Sequence, residues 1–155
     1  MALKPDRYEM AHDISFWMNE AAERGGIVSL STAGSGAAMD QAKALVTYSA
    51  TVPSGKLLPG LLLGDMVDIN QARTHENWFK NEEVKGGKVA LLAKGYVSTN
   101  MINPTVTIAA HDKAYVSVSG FISNVDSGDP SGKVGRFLSV KDEDGYAKVY
   151  IDLPN

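Results

Sequence analysis

Val134-Gly135-Arg136-Phe137-Leu138-Ser139-Val140, followed by Asp144-Gly145 and then by Tyr146-Ala147-Lys148-Val149-Tyr150-Ile151, is the stretch that decides the fold class. Both flanking runs are rich in β-branched and aromatic residues, which suit a pleated and half-buried surface. The Asp-Gly dipeptide between them tolerates the positive φ that a tight hairpin turn requires. This pattern predicts a β-hairpin at the end of the chain.

The same grammar extends backwards from the hairpin. Ala114-Tyr115-Val116-Ser117-Val118-Ser119 alternates with period two, and Phe121-Ile122-Ser123 continues it after Gly120. Thr105 to Ala109 reads as a strand. Lys88 to Thr99 reads as a strand pair, or as one strand bent at Gly95. Leu57 to Ile69 is an apolar run broken by Pro59, Gly60 and Gly64, which suits short buried strands with bends. Leu45 to Tyr48 and Ile27 to Thr32 are further strands, joined by a flexible loop over Ala33 to Ala37 and a helical turn over Asp40 to Lys43. Roughly eight to ten short strands at turn spacing predict an all-β fold, a compact barrel or sandwich.

Two segments differ from the rest. Residues 1–20 form an N-terminal arm or first strand ahead of the Gly25-Gly26 turn, and residues 21–155 form a single β domain. At helical spacing Met10, Ile14, Trp17 and Met18 share one face; at strand spacing Ile14, Phe16 and Met18 do. Both readings stay open. Asn70 to Lys85 is strongly polar and reads as an insertion, either a long exposed loop or a short helix.

With 155 residues, 44% hydrophobic and 21% charged, the chain has enough apolar material for one core and too much for a disordered segment. The net charge of −3 and the lack of any basic run argue against nucleic acid. No basic amphipathic helix or long apolar run points to a membrane. The absence of cysteine excludes disulfides and thiolate chemistry. Met1 to Arg7 has no apolar core and no cleavage pattern, so no signal peptide is expected and assembly in the cytoplasm is.

Each candidate for chemistry fails a specific requirement. Gly128 to Lys133 resembles a phosphate loop, but it is one residue short and Val134 stands where a hydroxyl should hold magnesium. Asn124, Asp126 and Asp129 resemble the start of a calcium loop whose twelfth position is Gly135 rather than a carboxylate. Asp142-Glu143-Asp144 and the Asp65/Asp68 pair show no sign of the contrasting environments that acid–base work needs. His12, His75 and His111 lie at no metal-binding spacing. Ser35 is flanked two residues away by Ala33 and Ala37, so it is no nucleophile elbow. The expectation is a non-enzymatic protein without cofactor or metal.

The aromatic residues carry a different signal. Phe16-Trp17 and Trp78-Phe79 are adjacent pairs, and neighbours on a strand point to opposite faces. One member of each pair must find a second apolar surface, either a second layer of the same chain or a partner, where aromatics are enriched. Tyr8 and Met10 add apolar density to a terminus. Tyr8, Met10, Phe16, Trp17, Trp78 and Phe79 are therefore the candidate interface residues.

The order Gly86-Gly87-Lys88-Val89-Ala90-Leu91-Leu92-Ala93-Lys94-Gly95-Tyr96-Val97, then His111-Asp112-Lys113-Ala114-Tyr115-Val116-Ser117-Val118-Ser119-Gly120-Phe121-Ile122-Ser123, then Val134-Gly135-Arg136-Phe137-Leu138, resembles the small capsid decoration (cement) proteins of tailed phages. The similarity is to those of short-tailed phages of aquatic bacteria, including cyanobacteria. It covers residues 55 to 155 in pattern. The longer N-terminal segment and the Asn70–Lys85 stretch depart from the simplest members. The resemblance implies a β-barrel or β-tulip and no catalytic residues. It also implies a homotrimer on the outer capsid surface of the virion, with the major capsid protein as partner. Another virion component, such as a head-fibre or tail-associated β-module, is the alternative. On this reading, removal of residues 1–10 is expected to leave the domain folded and to weaken capsid binding.

Overall fold

The computed structural model describes residues 3–4, 7–34, 44–68 and 82–154. The chain is all-β: no described helix reaches seven residues, and the main sheet curls into an antiparallel half-barrel. The strands are β1 (Tyr8–Asp13), β2 (Ile27–Thr32), β3 (Leu45–Thr47), β4 (Gly60–Leu62), β5 (Asp65–Val67), β6 (Glu82–Val84), β7 (Leu91–Thr99), β8 (Lys113–Val116), β9 (Ile122–Ser123), β10 (Lys133–Phe137) and β11 (Ala147–Asp152). Nine of them form one sheet in the order β3-β2-β4-β7-β11-β10-β8-β9, with β1 also paired to β7. Strands β5 and β6 make a separate parallel pair.

The C-terminal hairpin forms as the alternation predicts, with Gly135 opposite Ile151 and Phe137 opposite Val149. Its turn is wider than a two-residue loop. Asp142 closes it by accepting from the Asp144 and Tyr146 amides, while Gly145 takes a φ of 81°. Gly135 is required for a different reason: a Cβ there would collide with the Tyr150 carbonyl oxygen on the neighbouring strand.

The apolar runs are buried on both faces, so they do not alternate. Ile27, Leu61 and Leu92 join the larger core inside the half-barrel with Val97, Phe137, Val149 and Ile151. Their sequence neighbours Val28, Leu62 and Leu91 point the other way into a second core with Phe16, Met18, Val46 and Met66. Pairing of Ile27 with Leu61, and of Leu61 with Leu92, holds this shared layer in register.

The N-terminal segment follows neither periodic reading throughout. Phe16 and Met18 enter the second core as strand spacing requires, but Ile14 is 45% exposed. Backbone bonds from Trp17 to Ala44 and Val46, and from Met18 to Gly86 and Gly87, thread this piece between two parts of the chain. Tyr8–Asp13 is a sheet strand and Leu3 lies in the larger core, so these parts of the N-terminal segment belong to the fold. Removal of residues 1–10 would therefore take away a core side chain and part of a sheet strand.

Two strand assignments also change. Thr105 to Ala109 is irregular, although Ile108 is buried. Ala114 to Ser123 is not one continued strand. A 3-10 turn at Val118–Gly120 reverses the chain, and β9 pairs back on β8. Ser119 at φ 55° and Gly120 at φ 77° make that reversal, and the Tyr48 ring packs so close to Gly120 that no side chain fits. The Tyr48 hydroxyl accepts from the Gly26 amide and donates to the Glu23 carbonyl, and burial pushes its ionisation well above the usual range. Asp129 pins a second loop: its carboxylate accepts from the Ser131 amide and hydroxyl and from the distant Gly55 amide.

Leu3→Ala is expected to cost about 2–5 kcal/mol, the usual range for emptying a core leucine site. Gly135→Ala should cost about 1–3 kcal/mol by crowding a strand backbone. Urea unfolding followed by far-UV circular dichroism measures both, and wild-type midpoints would contradict the packing described. The bonds from Ser131 and Gly55 hold the Asp129 carboxyl far below the usual carboxylate range. Its contribution is therefore present above the unfolded value of about 3.9 and is lost as pH falls through the folded one. Asp129→Asn should melt below wild type at pH 7, and the gap should narrow as pH drops beneath about 4. A gap independent of pH would refute the assignment.

Candidate binding face

The outward positions of the half-barrel carry one organised feature. Register places Tyr8 of β1 opposite Tyr96 of β7, Tyr96 opposite Tyr150 of β11, Tyr150 opposite Arg136 of β10, and Arg136 opposite Lys113 of β8. The result is a single row across five strands. At the usual interstrand spacing it runs about 19 Å.

The rings touch along the row. Tyr8 and Tyr96 have centroids 6.4 Å apart with planes at 39°, and Tyr96 and Tyr150 are 5.0 Å apart at 42°. Such tilted contacts are favourable edge-on arrangements that fix each ring without burying its outer edge. Tyr8 is 64% exposed. Two shallow depressions of about 350 and 410 Å³ flank Tyr96 and share Leu138 in their walls.

Along the outward positions of these strands, Lys94, Lys113, Arg136 and Lys148 outnumber the carboxylate of Asp152. Lys148 follows Tyr150 in the next outward position, opposite Ser98, and Lys94 sits opposite Asp152 at 3.3 Å. Arg7 and His12 both contact Glu9. Among the described residues no carboxylate pairs with Arg136 or Lys113. Like charges placed directly opposite each other on adjacent strands destabilise a sheet.

The sequence-derived candidates divide. Tyr8 opens the row, and Met10 lies beside it, 53% exposed, at the bulge between Glu9 and Ala11. Phe16 is only 9% exposed, and its side chain belongs to the second core. Trp17 is half-buried with the Lys88 ammonium 5.5 Å above its ring. Trp78 and Phe79 lie outside the described residues, as do His75, Ser35 and most of the Asn70–Lys85 stretch.

The remaining motifs serve turns and pairs. The phosphate-like Gly128–Lys133 stretch is a 3-10 turn capped by Asp129. Asp126 accepts from the Gly128 amide in a local turn, and Asn124 donates to Asp112. Asp65 accepts from the Arg24 amide, and Asp68 pairs with Lys85. His111, at φ 76°, makes a corner by donating its amide to Phe137. Among the described residues, no group of three or more His, Asp or Glu side chains is placed to hold a metal ion, and no helix is long and apolar enough to cross a membrane.

Tyr96, Tyr150, Arg136 and Lys113 were missed as site residues. Alternation in Lys94-Gly95-Tyr96-Val97-Ser98 and Lys148-Val149-Tyr150-Ile151-Asp152 marks the outward positions. Only the strand order and register bring them into one line. No protein-family model matches the chain, and no curated protein matches it.

Proposed function

We propose that this chain is a structural, non-catalytic capsid decoration protein. It binds the outer surface of a phage capsid, with the major capsid protein as partner, and assembles there as a homotrimer. The observation that carries this reading is the row from Tyr8 to Lys113, an aromatic and cationic face held on a braced β-sheet. Tyrosine and arginine are the residues that dominate protein–protein contacts. The Gly-punctuated order of strands from Gly86 to Leu138 supports the capsid assignment by its resemblance to decoration proteins. A cement protein needs a rigid fold and a repeated contact, because a closed shell multiplies modest affinities into avidity.

Quantitative mass spectrometry of purified virions tests the proposal. The expected copy number is comparable with that of the major capsid protein. A much lower number restricted to one vertex would favour a head-fibre or tail module, and absence from the particle would overturn the virion assignment altogether. Cross-linking of intact particles is expected to trap trimers, and recovery of monomers alone would remove the trimer.

A further inference from the structure

We infer that the Tyr8–Tyr96–Tyr150–Arg136–Lys113 row is the docking face, and that its occupant is an acidic protein surface on another molecule. The first argument is charge. The chain as a whole is acidic, at −3, yet Arg136 and Lys113 stand directly opposite each other, and among the described residues no carboxylate pairs with either. Such a pair costs the isolated sheet stability. An incoming carboxylate relieves that repulsion and gains a charge-assisted bond from a guanidinium whose forked donors fit it.

The second argument is ring geometry. Single-stranded nucleic acid uses aromatic faces as stacking platforms. Here successive rings tilt by 39° and 42° and lean on one another, so they do not form a run of open, parallel faces. They offer edges, hydroxyls and a little apolar area, which is how tyrosine contributes to protein interfaces. Lys148 extends the cationic side, while Asp152, engaged by Lys94, limits it, so the face suits discrete carboxylates rather than a phosphate chain.

The identity of the acidic molecule as the capsid rests on the reading proposed above; the chemistry of the face does not. Co-sedimentation with capsids stripped of this protein separates the two. Wild type is expected to bind. Lys113→Glu/Arg136→Glu should bind at least about tenfold more weakly, and Tyr96→Ser/Tyr150→Ser should also lose affinity without any change in charge. Lys56→Glu/Lys85→Glu, which reverses as much charge elsewhere, should bind as wild type does. Thermal melts confirm that each variant is folded. If wild type binds and the first two variants bind equally well, the face is wrong while the decoration reading stands. If wild type does not bind, the decoration reading fails, and a poly-L-glutamate column decides the face. Retention of wild type, with early elution of both row variants and not of the control, supports it, and equal elution overturns it. Tighter binding to oligo(dT) than to poly-L-glutamate at the same salt overturns it in favour of nucleic acid. Self-association abolished by Lys113→Glu/Arg136→Glu overturns it in favour of a second copy.

Discussion

Strand β7 is shared among three neighbours. Leu91 and Leu92 pair with β4 and also with β1, and Lys94 to Tyr96 pair with β1 and also with β11. The β2–β4 side and the β10–β11 side of the sheet are hydrogen-bonded to each other through this strand, and the packing of Tyr48 on Gly120 links them a second time. The two cores meet at it as well, because Leu91 and Leu92 project to opposite sides. Gly95 is what lets β1 approach: a Cβ at this position would collide with the Tyr8 carbonyl oxygen. A side chain there would push β1 outward, and Tyr8 and Leu3 would lose their places together.

Local sequence carried the elements whose cause is local. The Asp144-Gly145 hairpin and the strands over Ile27–Thr32 and Ala147–Asp152 follow from alternation and turn chemistry, and the structure contains them. Thr105 to Ala109 has strand propensity but lacks a neighbour to pair with, since Asn103 and Lys141 tie that loop down instead. Alternation through Ser119 hid a reversal, because a serine in the left-handed region has no sequence signature as plain as glycine's. The Phe16–Trp17 pair raised the choice between a second layer and a partner. For Phe16 the second layer answers it, built from Val28, Val46 and Met66, which are distant in sequence.

The candidate face was legible only in part for the same reason. Tyr8 stood out as an aromatic residue near a terminus, whereas Tyr96 and Tyr150 looked like ordinary strand residues. Their alignment depends on which strands are adjacent and in what register, and single-strand periodicity does not contain that information. Several of the polar candidates build turns. Asp142 accepts from the nearby Asp144 and Tyr146 amides, and Asp129 accepts from the Ser131 amide in its own turn and from the distant Gly55 amide, which ties two loops together.

The row also inherits the handedness of the sheet that carries it. Adjacent strands rotate by roughly 20–25°, so four steps from β1 to β8 turn the direction of the side chains by about 80–100°. Tyr8 and Lys113, at the two ends of the row, therefore do not share one direction, and Tyr96 and Tyr150 lie between them. A flat neighbour would meet one end or the other. A partner that touched the whole row would have to follow that turn.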